Sequence, residues 1–279
     1  MISSYAMLDP RSPDRAAARG KCALGIMIKA PRAGASKTRL APPLALAESA
    51  ALSVCFLRDT AQNIHEAAGM SGVADGVAVY TPVGAEAAFD ELLPDHFRLL
   101  PQRGESFGER LYYAAEDFMR LGYAACCLID SDSPTLPRAA LVAASNQLAR
   151  PGDRVVLGPA DDGGYYLIGL KRAHRKLFEE ITWSTDLVLA ETIERAEEIK
   201  LEVELLPAWY DVDDQTTLAR LCEELFAGTM PNSIDAAPPQ GYQAPHTRAF
   251  LSALLEREGR ARIWPMVSAK SESPAEILR

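Results

Sequence analysis

The strongest constraint on this chain is an alternation. Between residues 22 and 227, short apolar runs of strand character alternate with longer segments carrying apolar residues at helical spacing. Strands are predicted at 22–28, 73–80, 97–100, 123–129, 154–158, 165–170 and 201–206. Helices are predicted at 48–67, 84–92, 106–121, 137–149, 183–199 and 215–226. A strand–helix alternation folds into a mostly parallel sheet covered by helices on both faces, the α/β class. Asp162-Gly163-Gly164 carries strong turn chemistry between two strands, so one hairpin reversal should make the sheet mixed. With 48% hydrophobic residues in a chain of 279, there is enough apolar material for one large domain. The expected plan is a loose leader over residues 1–20 and a main domain over 21–228. A linker with a C-terminal helix follows over 229–257, then a loose tail over 258–279.

Charge and cysteine usage narrow the function classes. A formal net charge of −9 gives no broad basic footprint for nucleic acid. An anionic substrate would need local basic residues or a metal. No apolar run approaches the ~20 residues of a membrane span. Charged residues from Asp9 to Arg19 interrupt any signal-peptide core. The five cysteines form no CxxC motif, which points to the reducing cytoplasm and away from a disulfide framework. Oligomeric state is not legible.

Three constellations fall at the carboxyl ends of predicted strands. The first is a basic loop, in which Lys29, Arg32, Lys37 and Arg39 surround the Pro and Gly of residues 29–40, with Thr38 inside it. Strand, basic loop and helix in succession is a common phosphate-site layout, although Ser36 stands where a Walker A loop needs Gly. A solvated basic loop is the alternative. The second is Asp130-Ser131-Asp132-Ser133-Pro134, after an apolar run. In continued strand geometry both carboxylates point the same way and would suit a hard divalent cation. Otherwise Asp132 caps the following helix. The third is Asp211-Val212-Asp213-Asp214, where either Asp213 or Asp214 would also serve as a helix cap. Asp161 and Asp162 precede Gly163 and Gly164. They read as an acidic hairpin tip, or as a place where backbone approaches a ligand. Ser184 is the expected N-cap of a helix opened by Trp183-Ser184-Thr185-Asp186, and Trp183 is expected in the core. Ligands of open α/β sheets sit at the carboxyl ends of strands, so these constellations should converge on one site.

The motifs carry a resemblance. Lys29-Ala30-Pro31 with Lys37-Thr38-Arg39-Leu40, then Ser131-Asp132-Ser133-Pro134, Asp161-Asp162-Gly163-Gly164-Tyr165-Tyr166, Trp183-Ser184-Thr185 and Asp211-Val212-Asp213 resemble the DUF2064 family. These are bacterial glycosyltransferase-like proteins related to the guanylyltransferase of coenzyme F420 synthesis. The resemblance spans roughly residues 22–250 and implies a GT-A, nucleotide-diphospho-sugar-transferase-like fold. It departs from the family pattern at Ala33 and Ser36, usually Pro and Val, and at Asp130, more often Gly. By this analogy Asp132 and an Asp of the Asp211/Asp213 pair hold Mg2+ or Mn2+, with Asp130 as a further acid. Lys29, Lys37, Thr38 and Arg39, with Gly163 and Gly164, meet the nucleotide phosphates. Asp161 or Asp162 serves as general base.

The leading expectation is a metal-dependent glycosyltransferase with a nucleotide-sugar donor and an unidentified small acceptor. The rival is a nucleotidyltransferase that joins an NTP-derived nucleotide to a phosphorylated small molecule and releases pyrophosphate. A third reading is a nucleotide-binding protein without catalysis, since a fold does not fix a function.

Overall fold

The computed structural model describes residues 5–13, 15–31, 37–226 and 240–264. In chain order the elements are β1 (Ala6–Met7), α1 (Arg15–Ala18), β2 (Cys22–Lys29), α2 (Leu46–Ser71), β3 (Ala74–Thr81), β4 (Arg98–Pro101), α3 (Phe107–Leu121) and β5 (Ala125–Ile129). There follow α4 (Arg138–Ala149), β6 (Arg154–Pro159), β7 (Tyr165–Leu170), α5 (Val188–Glu198), β8 (Glu202–Leu205), α6 (Gln215–Phe226), α7 (Pro245–Glu258) and α8 (Arg260–Ile263). The strands form one sheet in the order β1-β4-β3-β2-β5-β7-β6-β8. Only β7 runs against its neighbours, pairing antiparallel with both β5 and β6. The sheet is therefore mixed and mostly parallel, and its reversal falls at Asp162-Gly163-Gly164 as the turn chemistry predicts.

Strand alternation divides the core. Leu24, Ile26 and Ile28 of β2 face Leu57, Ala61 and Ile64 of α2 and Leu141 and Leu148 of α4. Ala23 of β2, Val77 and Val79 of β3, and Leu128 of β5 face Leu111 and Phe118 of α3 and Ala196 of α5. The sheet thus has helices on both faces, in agreement with the α/β expectation. Gly25 is required by this packing, because a Cβ there would stand 2.9 Å from the Phe118 ring. A third cluster joins Leu52 and Phe56 of α2 to Leu218 and Leu221 of α6 and Leu251 of α7. Asp59, fully buried on α2, accepts hydrogen bonds from the backbone N–H of His246 at 3.0 Å and Thr247 at 2.7 Å. It thereby satisfies the otherwise unpaired first turn of α7.

Several expectations need correction. The leader is not loose over residues 5–8, because β1 adds to the sheet edge beside β4. The Tyr5 hydroxyl, buried, also donates to the Leu93 carbonyl at 2.6 Å. Ser184 is no N-cap. It has φ 65, and the helix begins only at Val188 with Leu187 in the cap position. The tail is helical over Arg260–Ile263, and Trp264 joins the third cluster. Most of the expected linker and residues 265–279 lie outside the described residues.

Candidate active site

The carboxyl ends of β2 and β5 stand side by side, since Ile26 of β2 pairs with Ile129 of β5. Beyond β2 the chain returns at Lys37, which has φ 52, and passes into a single 3-10 turn over Thr38–Leu40. Leu40 is fully buried in the third core cluster and anchors that turn. Arg32 lies outside the described residues. Lys29, Lys37, Thr38 and Arg39 line a cavity of about 340 Å3 together with Asp132 and Asp213. Six expected site residues from three separated stretches therefore meet in one place.

The route to Asp213 explains its position. Trp209 bridges Ala160 beyond the end of β6, and the Val212 N–H donates to the Asp132 carbonyl at 2.9 Å. Tyr210 and Val212 are buried in the third cluster, so the extended alternation turns Asp211 and Asp213 to the other side. Asp214 then caps α6, accepting from the Thr217 N–H at 2.9 Å. The cap and the site carboxylates are thus different residues.

Lys37 organises the charge. Its Nζ lies 2.9 Å from Asp132 Oδ2 and also pairs with Asp213, and its side chain is only 8% exposed. Burial alone would lower the pKa of the ammonium, but the two carboxylates outweigh it and the net shift is upward. Asp130 does not pair with Asp132 as a two-carboxylate clamp. Its N–H continues the strand by donating to the Tyr166 carbonyl at 3.0 Å, and its Oδ2 accepts from Ser133 at 2.8 Å. Its buried Oδ1 has no hydrogen-bond partner among the described residues. Burial first, and Asp132 second, push its carboxyl well above the usual range. Asp211 is pushed up to about 6 by burial and by the nearby Asp213 and Asp162.

These carboxylates outnumber the one ammonium among them. Their oxygen donors fit a hard divalent cation, Asp130 Oδ1 is buried without a hydrogen-bond partner among the described residues, and Asp211 is raised by burial first and then by the neighbouring carboxylates. Among the described residues, however, no three His, Cys, Asp or Glu side chains are gathered as a metal site. Lys37 stands between Asp132 and Asp213.

The hairpin tip borders the acidic cluster, since Asp162 lies near Asp211. Asp161 pairs with Arg220 at 2.5 Å, and that guanidinium lies 3.9 Å over the Tyr210 ring. Asp162 Oδ1 accepts from the Gly164 N–H at 2.9 Å, closing the turn. Gly163 has φ 89, and a Cβ there would lie 2.2 Å from the Asp186 carbonyl oxygen. Asp161, Asp162, Gly163 and Gly164 do not line the cavity. In this structure they hold the hairpin to α6 and to the loop before α5. Sequence reading missed Arg220 and the lining residues Ser53 and Leu57. Ser53 and Leu57 belong to an ordinary helical pattern, and nothing in it marks them.

The fold is that of nucleotide-diphospho-sugar transferases, with the cavity at the carboxyl edge of a GT-A-like sheet. A Desulfovibrio desulfuricans G20 protein, assigned by name as a nucleotide-diphospho-sugar transferase, has a solved structure similar to this chain. The TM-score is 0.71 at 29% identity, over 88% of this chain and 97% of that one. The family resemblance holds as well: residues 63–185 match the family described as "Uncharacterized protein conserved in bacteria (DUF2064)". That span contains Asp132 and the hairpin, while the basic loop and Asp211–Asp213 lie outside it. More distant folds include a CMP:2-keto-3-deoxy-manno-octonic acid synthetase complexed with CTP, at TM-score 0.47 and 13% identity over 72% of this chain and 96% of that one. A mannosyltransferase from Pyrobaculum calidifontis, in complex with GDP-Man and Mn2+, has TM-score 0.43 at 15% identity over 91% and 78%. No curated protein matches the chain by sequence.

Proposed function

We propose that this chain is a metal-dependent transferase that binds a nucleotide diphosphate group in the cavity of Lys29, Lys37, Arg39, Asp132 and Asp213. Glycosyl transfer from a nucleotide sugar to a small acceptor is the leading reaction. One observation carries the reading: basic and acidic side chains from β2, β5 and the approach to α6 converge at one sheet edge. The similarity to the Desulfovibrio protein supports it. Lys29 and Arg39 would take phosphate oxygens, and Lys37 would exchange its carboxylates for phosphate. Asp132, Asp213 and Asp211 would hold Mg2+ or Mn2+, which when bound neutralises charge gathering on the departing diphosphate.

Lys29, Lys37 and Arg39 in one lining also suit the rival reading, because a triphosphate carries more negative charge than a diphosphate sugar. In that case the α-phosphate is attacked by a phosphorylated acceptor. Product analysis separates the two. Release of a nucleoside diphosphate from a nucleotide sugar supports glycosyl transfer, and pyrophosphate from an NTP supports nucleotidyl transfer. If Asp132→Ala leaves metal-dependent nucleotide binding and turnover unchanged, both reactions are excluded in this form.

A further inference from the structure

A second cavity, of about 440 Å3, opens at the opposite edge of the sheet, where β2, β3 and β4 begin. Among the described residues its walls carry Lys21, His65, His96 and Arg98, against the single carboxylate of Asp75. Two of the four histidines in the chain therefore meet here, with ring centroids 6.2 Å apart and planes inclined by 27°. In a chain of net charge −9, this is a local reversal of sign.

Asp75 is fully engaged. It accepts from Lys21 at 3.0 Å, from Arg98 at 2.6 Å and from the Tyr123 hydroxyl at 3.2 Å. Lys21 and Arg98 together still carry one positive charge more than Asp75 cancels, before either imidazole binds a proton. The carboxyl end of α2 faces the same space and contributes a partial negative charge of about half a unit, less than that excess. An ammonium has three N–H donors and a guanidinium five, more than one carboxylate and one phenol consume. The space is kept free by small residues. A side chain at Gly69 or Gly72 would meet nothing within 4 Å, and Gly76 lets the Phe97 ring lie against the start of β3.

We propose that this cavity is a second binding site, for a phosphate dianion, either free or as a small phosphomonoester. Lys21 and Arg98 hold the anion by charge, and His65 and His96 donate from the rim. The site does not overlap the candidate active site. Strand β2 begins beside Lys21 and ends at Lys29, so the eight residues of β2 separate the two cavities by about 25 Å. It also stands independently of the proposed reaction.

Histidine ring resonances in the full chain give the test, with inorganic phosphate and glucose 1-phosphate as probes. On titration to millimolar phosphate, the His65 and His96 signals should move together. His174, paired with Asp153 at 2.9 Å, and His246 should stay in place. Lys21→Gln with His96→Asn should weaken the response by about tenfold or more, since charge-assisted contacts are lost. Asp75 keeps Arg98 and Tyr123 in that variant, and His96 is exposed, so the fold is retained. Lys37→Met should leave the response unchanged. A response to only one probe supports the site and identifies which form of the anion it takes. Unmoved His65 and His96 signals with both probes would overturn the proposal, as would a response abolished by Lys37→Met and kept in the double variant.

Discussion

Lys37 is the residue on which the site turns. It is held between Asp132 and Asp213, so replacing it with methionine leaves two carboxylates facing each other. The loss should cost about 1–3 kcal/mol, below the range for wholly buried pairs because both acids are partly exposed. Denaturant midpoints measure that loss. Added Mn2+ should then raise the melting temperature of Lys37→Met more than that of the wild type, because the metal replaces the missing ammonium. An equal or smaller rise would show that these carboxylates do not gather a cation. Gly163 makes a different demand. Its positive φ and the nearby Asp186 carbonyl forbid a side chain, so Gly163→Ala should cost about 1–3 kcal/mol in unfolding free energy. A neutral result would mean that the tip relaxes freely. Asp130 shows where residue reading fell short. Period-two alternation placed it correctly at a strand end, but only tertiary burial reveals that it turns inward to Ser133.

Among the elements, α7 depends on a cap that no local pattern announces. Asp59 belongs to α2, far away in sequence, and the first turn of α7 rests on it. Burial, partly offset by those two N–H donors, raises its pKa in the fold. A raised carboxyl pKa means that the folded chain holds the proton more tightly than the unfolded one. The stabilisation is complete below the unfolded value near 3.8 and is lost as pH rises through the folded value. Wild type should therefore gain stability relative to Asp59→Asn as pH falls from 7 toward 4, seen in urea midpoints of both proteins. A difference constant with pH would contradict the shift. At the edge of the sheet, Tyr5→Ala removes a buried ring and its bond to Leu93, and should cost about 2–4 kcal/mol. An unchanged midpoint would restore the loose leader. That leader shows why short edge strands escape sequence reading: β1 is only Ala6–Met7, and its pairing exists only because β4 is beside it. The helix expected at Ser184 failed for a related reason. Ser and Thr advertise a cap, but the left-handed Ser184 delays the helix to Val188.

For the whole molecule, the strand–helix alternation was enough to read the architecture, because a buried parallel sheet demands apolar strands and covering helices at fixed periods. The mixed character was legible in Asp-Gly-Gly. The convergence of the candidate site was legible too, because Lys29, Lys37, Arg39, Asp132 and Asp213 sit at strand ends that this topology gathers at one edge. What was not legible was their pairing. Lys37 is locked between Asp132 and Asp213, a pairing no local pattern announces. A nucleotide with its cation is expected to dissolve that lock. Thermal shift of the full chain tests this most directly, with NTPs and nucleotide sugars screened with and without Mg2+ or Mn2+, in wild type and Asp132→Asn. At least one nucleotide should raise the melting temperature of the wild type, the rise should require the divalent cation, and Asp132→Asn should lose it. No rise with any nucleotide, or a rise that persists in Asp132→Asn and without the cation, would contradict it.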